Sequence, residues 1–256
     1  MVIVLGIEVD ADLLARWRCW FAPAVQPFRA ATAAVAGSTP LEISPEVRDT
    51  YFVYDGEWCC LSEDAFNRLP AGERRAMLRG RDRGAPRLWP GDLAAGGDDP
   101  LLRWVEAGVG RSRHAEVGAA TWRQARELLP GARDLAGTFP DRSGANCFGT
   151  VMAAAGVDDA AAAWMHQAPF EAWLAAATRP LRGTSYDDRP GVVLLWRDGR
   201  GTAVHAAVTI GDGYALAKPS QAWCSPRLVR TVRETIQASR FTGVRLERHR
   251  IASYAG

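Results

Sequence analysis

Two residues in this chain have the types and settings that nucleophilic catalysis requires, Cys147 and His205. Cys147 stands in Ser143-Gly144-Ala145-Asn146-Cys147-Phe148-Gly149-Thr150, which reads as a loop running into a helix, with Gly156 as its stop. Asn146 is suited to cap that helix, because its side-chain oxygen accepts an unpaired N–H of the first turn. Glycine tolerates the left-handed turn that ends helices. Cys147 is then the first helical residue, where the helix dipole and free N–H groups favour thiolate over thiol. The thiolate is the nucleophile. The competing reading is a buried cysteine behaving as a small hydrophobe, and the presence of a base decides between the two.

The base expected from the sequence is His205, 58 residues further on in the apolar run 203–210. Successive side chains of a strand point to opposite faces. Val204, Ala206, Val208 and Ile210 then share one face, and His205 lies on the other with Ala203, Ala207 and Thr209. A helix laid across the histidine's face brings a cysteine at its N-terminus within hydrogen-bond reach. The imidazole takes the thiol proton, and the ion pair is a standing nucleophile. A structural histidine beside a sheet is the alternative.

The elements that must position this pair are legible in outline. Gly191 precedes a fully buried type of strand, Val192-Val193-Leu194-Leu195-Trp196, and residues 197–201 form a turn. The histidine strand follows, then the tight turn Gly211-Asp212-Gly213 and a third strand over 214–218. This is an antiparallel meander. Residues 226–239 read as a helix with Leu228, Val232 and Ile236 on one side, and a last strand carries Val244 and Leu246. Upstream, residues 2–9 read as a strand, and 11–21 as a helix burying Leu13, Leu14, Trp17, Trp20 and Phe21. Residues 22–48, rich in alanine and proline, give no firm element. Residues 51–54 and 57–61 flank Asp55-Gly56 as a hairpin signature. Ser62 caps a helix that Pro70 splits, the second part running to about Arg79. Residues 84–100 are crowded with Gly, Pro and Asp and read as a linker. Beyond it come a short helix over 101–107 and a Thr121/Gln124 capping box for a helix ending near Leu129. A helical stretch over 158–177 is then broken at Pro169. The order predicts an α+β fold, with an N-terminal α+β region at 1–84 serving as lid or substrate platform, a linker at 85–100 and a catalytic domain at 101–256.

Composition narrows the classes. The chain has 256 residues, 48% of them hydrophobic, and a net charge of +2. That balance gives no electrostatic footprint for a nucleic acid. The run Arg74, Arg75, Arg79, Arg81 and Arg83 is broken by Asp82 and reads as a solvated helix face. Lys218 is the only lysine. Five cysteines, Cys19, Cys59, Cys60, Cys147 and Cys224, are an odd number without a CxxC pair, which argues against a disulfide framework and a zinc knuckle. Cys224, His249, His166 and His114 have no metal-ligand spacing. The start of the chain lacks a basic leader region, and no run approaches a membrane span, so a cytoplasmic location is expected. Neither a P-loop nor a G-x-G-x-x-G motif occurs. No cofactor and no metal is expected.

The combination of a cysteine at a helix start, a strand histidine and a Gly-Asp-Gly hairpin resembles the NlpC/P60-like branch of the papain-fold cysteine hydrolases. The matching pieces are Asn146-Cys147-Phe148-Gly149, residues 189–196 and His205-Ala206-Ala207-Val208-Thr209-Ile210-Gly211-Asp212-Gly213. They span roughly residues 140–222. The resemblance implies a cysteine helix packed on an antiparallel meander, with an acyl-enzyme on Cys147 and His205 acting as base and then acid. The departures are Asn146-Cys147-Phe148-Gly149 where the family has Asp-Cys-Ser-Gly, Gly191-Val192 for Gly-Asp, and Ala217 where its third polar residue stands. Gln221, or next Ser220, is then expected to orient the imidazole, a backbone carbonyl being a further possibility. The N–H of Cys147 is a natural oxyanion donor, and the side chain of Ser143 or Asn146 would supply a second. Trp196, Trp223 and Lys218 are expected at the substrate cleft.

The expected activity is cysteine-dependent acyl transfer on an amide or thioester, as an amidohydrolase or peptidase. The same residues would serve an acyltransferase, and the competing class is a binding module that kept the fold and lost the chemistry. The expected partner is a small-molecule or peptide substrate, including one held on a carrier protein. No nucleic-acid or membrane partner is expected.

Overall fold

The computed structural model describes residues 1–29 and 42–252. It divides into two compact units, Met1–Val2 with Val9–Val109, and Ile3–Glu8 with Gly110–Gly256. The expected strand at 2–9 is two strands, β1 (Val2–Val4) and β2 (Ile7–Val9). They are separated by Leu5 and Gly6 at φ of 53° and 79°. Two successive positive φ values make the left-handed corner that matches strand twist in a short hairpin.

In the first unit, α1 (Ala11–Phe21) is capped by Asp10, whose Oδ1 accepts from Leu13 N at 2.7 Å. It buries Leu13, Leu14, Trp17 and Phe21. Then come β3 (Val25–Arg29), α2 (Pro45–Tyr51) and β4 (Trp58–Ser62). The expected hairpin about Asp55-Gly56 does not form. Residues 45–51 are helical, started by Ser44 as cap with proline at the first position, and this capping outweighs the β propensity of the Tyr-Phe-Val-Tyr run. β4 pairs instead with β3, Phe28 opposite Cys59. Ser62 caps α3 (Glu63–Arg68), and α4 (Ala71–Gly80) follows after Pro70, as expected. The expected linker belongs to this unit. It contains α5 (Pro90–Gly96), with Leu93 buried and Leu88 O accepting from Gln26 Nε2 at 2.8 Å. Its prolines and aspartates start helices rather than breaking them, and α6 (Asp99–Glu106) begins the same way.

The second unit holds α7 (Ala119–Ala125), α8 (Ala132–Leu135), α9 (Cys147–Ala154), α10 (Gln167–Ala177), β5 (Thr178–Leu181), β6 (Pro190–Arg197), β7 (Ala203–Gly211), β8 (Tyr214–Ala217), β9 (Leu228–Thr231), α11 (Val232–Ala238) and β10 (Arg245–Ile251). Its six-stranded sheet has the order β5-β10-β6-β7-β8-β9, and its paired strands run antiparallel. The fold class is mixed α+β with antiparallel sheets, as expected. Three local expectations differ. Thr121 lies inside α7, where its hydroxyl bonds Asp212 instead of capping. Pro169 sits in the first turn of α10, where a missing N–H costs nothing. The expected helix over 226–239 begins as β9, and α11 starts only at a Thr231/Glu234 capping box.

The two faces of the sheet carry separate cores. Val193, Leu195, Ala206, Val208, Ile210 and Leu216 pack with Trp122, Phe148, Val151 and Phe170 of α7, α9 and α10. Val192, Leu194, Trp196, Ala207, Ala215 and Ala217 pack on the opposite face with Val232 of α11. β6 is buried on both sides, which is why its sequence runs apolar without alternation. Among the described residues, no helix is long and apolar enough to cross a membrane.

Candidate functional site

Cys147 opens α9 as the sequence predicts. Asn146 is the cap, with Oδ1 accepting from Gly149 N at 3.0 Å. The other end of the same amide donates to Met165 O at 2.8 Å. A carboxylate has no proton for that second bond, so an amide serves both. Gly149 lets the helix start pass beneath the 160–163 loop, since a Cβ there would stand 2.4 Å from Ala160 O and 3.1 Å from Ala163 O. Rings of Phe148 and Phe170 stack at 4.3 Å and tie α9 to α10.

The sulfur of Cys147 lies against β7. The nearby main-chain N–H groups of Ala206, Phe148 and Cys147 itself each favour the thiolate. The residue keeps partial exposure, yet desolvation of its sulfur dominates and pushes the thiol up to about 11. It is therefore protonated at neutral pH, not the standing thiolate expected from its place in the helix.

His205 does not share a face with Cys147. It pairs with Trp196 across the β6–β7 ladder, their rings 5.2 Å apart, and the next pair is Ala206 with Leu195. Trp196 belongs to the core on the α11 side, and Leu195 to the core under α9. The expected Cys147–His205 dyad is thus divided by the sheet. The cysteine helix lies on the face of Ala206, Val208 and Ile210, where the bulkier side chains offer it more apolar area, and the tryptophan fills the histidine's face. A register shift beside Trp196 also moves Ala203 to the α9 side, against simple alternation. Burial pushes the imidazole down to about 4, so it is neutral.

The other expected site residues build the wall beside Cys147. Ser143 Oγ accepts from Trp223 N at 3.2 Å, and Gly144 N donates to Gln221 O at 2.9 Å. Ser220 Oγ accepts from Ala222 N at 3.3 Å. These bonds stitch the 143–146 loop to the 220–225 loop. Ser220 and Gln221 lie with that seam and do not orient the imidazole, and Asn146 spends its amide on the cap rather than an oxyanion. Trp196 and Trp223 are 2% and 0% exposed. Both are core residues, Trp196 on the α11 side of the sheet.

Lys218, also expected to meet substrate, is fully buried. Its Nζ donates to the carbonyls of Ser220 at 2.7 Å, Ala222 at 3.2 Å and Ser225 at 2.7 Å. Three carbonyls take all three protons, so the group is held as the ammonium ion. Ala217 pairs with Ala207, which places Lys218 beside Ala206 and, by alternation, on the α9 face. Its charge favours the thiolate of Cys147, as the smallest of the influences acting on that sulfur. The sequence shows a lone lysine at the end of an apolar strand, but not which of two buried faces it joins.

Other candidates do not gather. His249 lies 3.6 Å from Glu247, and His114 contacts Ser112. Among the described residues, no group of three or more His, Cys, Asp or Glu side chains is arranged to hold a metal. A cavity of 690 Å³ in the first unit is lined by residues including Arg18, Cys19, Leu93 and Asp98. In comparisons with known proteins, no family model, no curated protein and no solved structure matches the chain.

Proposed function

We propose that this chain is a cysteine-dependent acyl-transfer protein that takes an acyl group from a thioester onto Cys147. The observation that carries the reading is the place of Cys147 as first residue of a capped helix, with the main-chain N–H groups of Ala206, Phe148 and Cys147 itself near enough to its sulfur to favour the thiolate. Donors arranged in that way stabilise an anionic sulfur.

Of the two donors compatible with such a cysteine, amide and thioester, the thioester fits better. An amide expels an amine, which needs an acid to protonate it, and His205 stands across the sheet. A thioester expels a thiolate, which leaves readily without one. In the step, the sulfur of Cys147 attacks the carbonyl carbon and the donor C–S bond breaks. The proton that Cys147 gives up is taken by the departing sulfur. A thiol near 11 is ionised to about one part in 10⁴ at pH 7, so loading is slow there and accelerates with pH. Water as acceptor completes a hydrolase cycle, and an amine completes an acyltransferase cycle.

A second reading has its own support. With His205 on the far face and the thiol protonated, the chain is a papain-like binding module that kept the layout without the chemistry. Incubation with a simple acyl thioester, followed by intact mass and peptide mapping, separates the two. The acyl-transfer reading predicts a hydroxylamine-labile adduct on Cys147, formed faster as pH rises and absent from Cys147→Ala. The module reading predicts no adduct there.

A further inference from the structure

We propose that Lys218 is the fixed counter-charge of Cys147, a positioning residue that stabilises its thiolate from within the core. As a contribution to acyl transfer this rests on the reading of Cys147 above. The placement of the lysine rests on the strand register and on its bonds to the loop that follows it.

An ammonium ion taken out of water needs hydrogen bonds to survive burial. Lys218 has them from three carbonyls of the loop that follows it, at 2.7, 3.2 and 2.7 Å. This cage fixes both the position and the protonation state of the nitrogen. With its nitrogen bonded to three carbonyl oxygens, the lysine is held as a cation and acts on Cys147 through its charge. The register sets the direction of that field. Ala207 opposite Ala217 leaves Lys218 beside Ala206, a residue whose N–H favours the thiolate of Cys147. The caging loop is in turn bonded to the cysteine loop through Gly144 N to Gln221 O and Trp223 N to Ser143 Oγ. A loop clamp by itself has no need to place its cation next to a thiol. Another buried cation packed near the start of α9 is Arg227, whose Nη2 donates to Ala161 O in the loop above it. His205, on β7, faces away.

The test is the rate of Cys147 alkylation by iodoacetamide against pH, mapped by peptide, in the wild type and in Lys218→Met. Removal of a nearby charge that shifts the thiol by one unit lowers the thiolate fraction tenfold. The expected result is therefore a Cys147 rate about tenfold lower at pH 8 in the variant, with Cys60 unchanged. A lysine acting only as a clamp predicts the reverse, a lower melting temperature with an equal or faster rate as the loop loosens, and that result would overturn the proposal. If Lys218→Met does not fold, the lone lysine supplies a second measurement. Lysine labelled with ¹⁵N gives one side-chain amine signal, which is expected to shift between wild type and Cys147→Ala. An identical signal in the two proteins rejects the pairing. Alkylation involves no acyl group, so a failed thioester experiment with a positive lysine effect sinks the proposed activity and leaves the counter-charge standing.

Discussion

Asn146 makes two bonds with one side chain, and only an amide can make both. Asn146→Asp keeps the acceptor for Gly149 N but sets a carboxylate against Met165 O, where the 2.8 Å bond had been. The variant is expected to be less stable by about 1–3 kcal/mol at pH 7, the range for a buried polar group left unpaired. Thermal melts at pH 7 and pH 4 check it, since a protonated carboxyl regains a donor and recovers part of the loss. His205 gives a second residue-scale prediction. Its pKa falls from 6.5 to about 4 on burial, so the neutral form is favoured in the folded chain. That stability is fully present above pH 6.5 and is lost as pH falls through 4, by up to about 3 kcal/mol. His205→Leu, which keeps an apolar contact with Trp196, is expected to flatten the stability profile between pH 6.5 and 4. A variant profile as steep as the wild type's in urea titrations counts against this account. At this scale the cap and Cys147 as first helical residue were legible, because capping chemistry is local. The second bond of Asn146 was not, because Met165 arrives from a loop without a pattern.

Elements decide which side of a strand matters. The alternation in β7 was readable, but not which face would receive α9, since strand period divides residues into two sets without naming the core. Val208 and Ile210 opposite Phe148 and Val151 settle it by apolar area. The same ambiguity concealed Lys218, whose significance depends on the β7–β8 register. The 51–61 hairpin was misread for a related reason. Its strand exists, but its partner lies in β3, and of the other arm Tyr51 ends α2 while Phe52 turns left-handed as its cap. At Gly149 the α9 packing makes a sharp demand. Gly149→Ala drives a methyl against Ala160 O and is expected to destabilise by about 1–3 kcal/mol, as overpacking does. Urea unfolding measures it, and an unchanged midpoint would mean that the 160–163 loop does not sit tightly over the helix start.

Across the whole molecule, the composition-based linker was misplaced because Gly, Pro and Asp serve helix starts as well as breaks. The division falls instead at Val109 and Gly110, and residues 3–8 group with the C-terminal unit. Ser112 N donating to Leu5 O at 2.8 Å is part of that grouping, a contact between distant positions that no local pattern announces. One global property follows from sequence and burial together. The only lysine is fully buried in the C-terminal unit. Amine-reactive esters are expected to label the folded chain at its N-terminal amine, with Lys218 reacting only as this unit opens. Mass mapping across a urea titration therefore reads the unfolding of the second unit from a single site. Rapid labelling of Lys218 in native buffer would contradict the cage around it.

The central claim is that Cys147 accepts acyl groups from thioesters, and acyl trapping tests it most directly. The protein is incubated with an N-acetylcysteamine thioester at pH 7 and pH 9, and its five cysteines are mapped. The account predicts a hydroxylamine-labile acyl group on Cys147, more at pH 9 than at pH 7, that is absent from Cys147→Ala. Acylation that follows exposure alone, with Cys147 unmodified at both pH values, would contradict it and leave the binding-module reading in place.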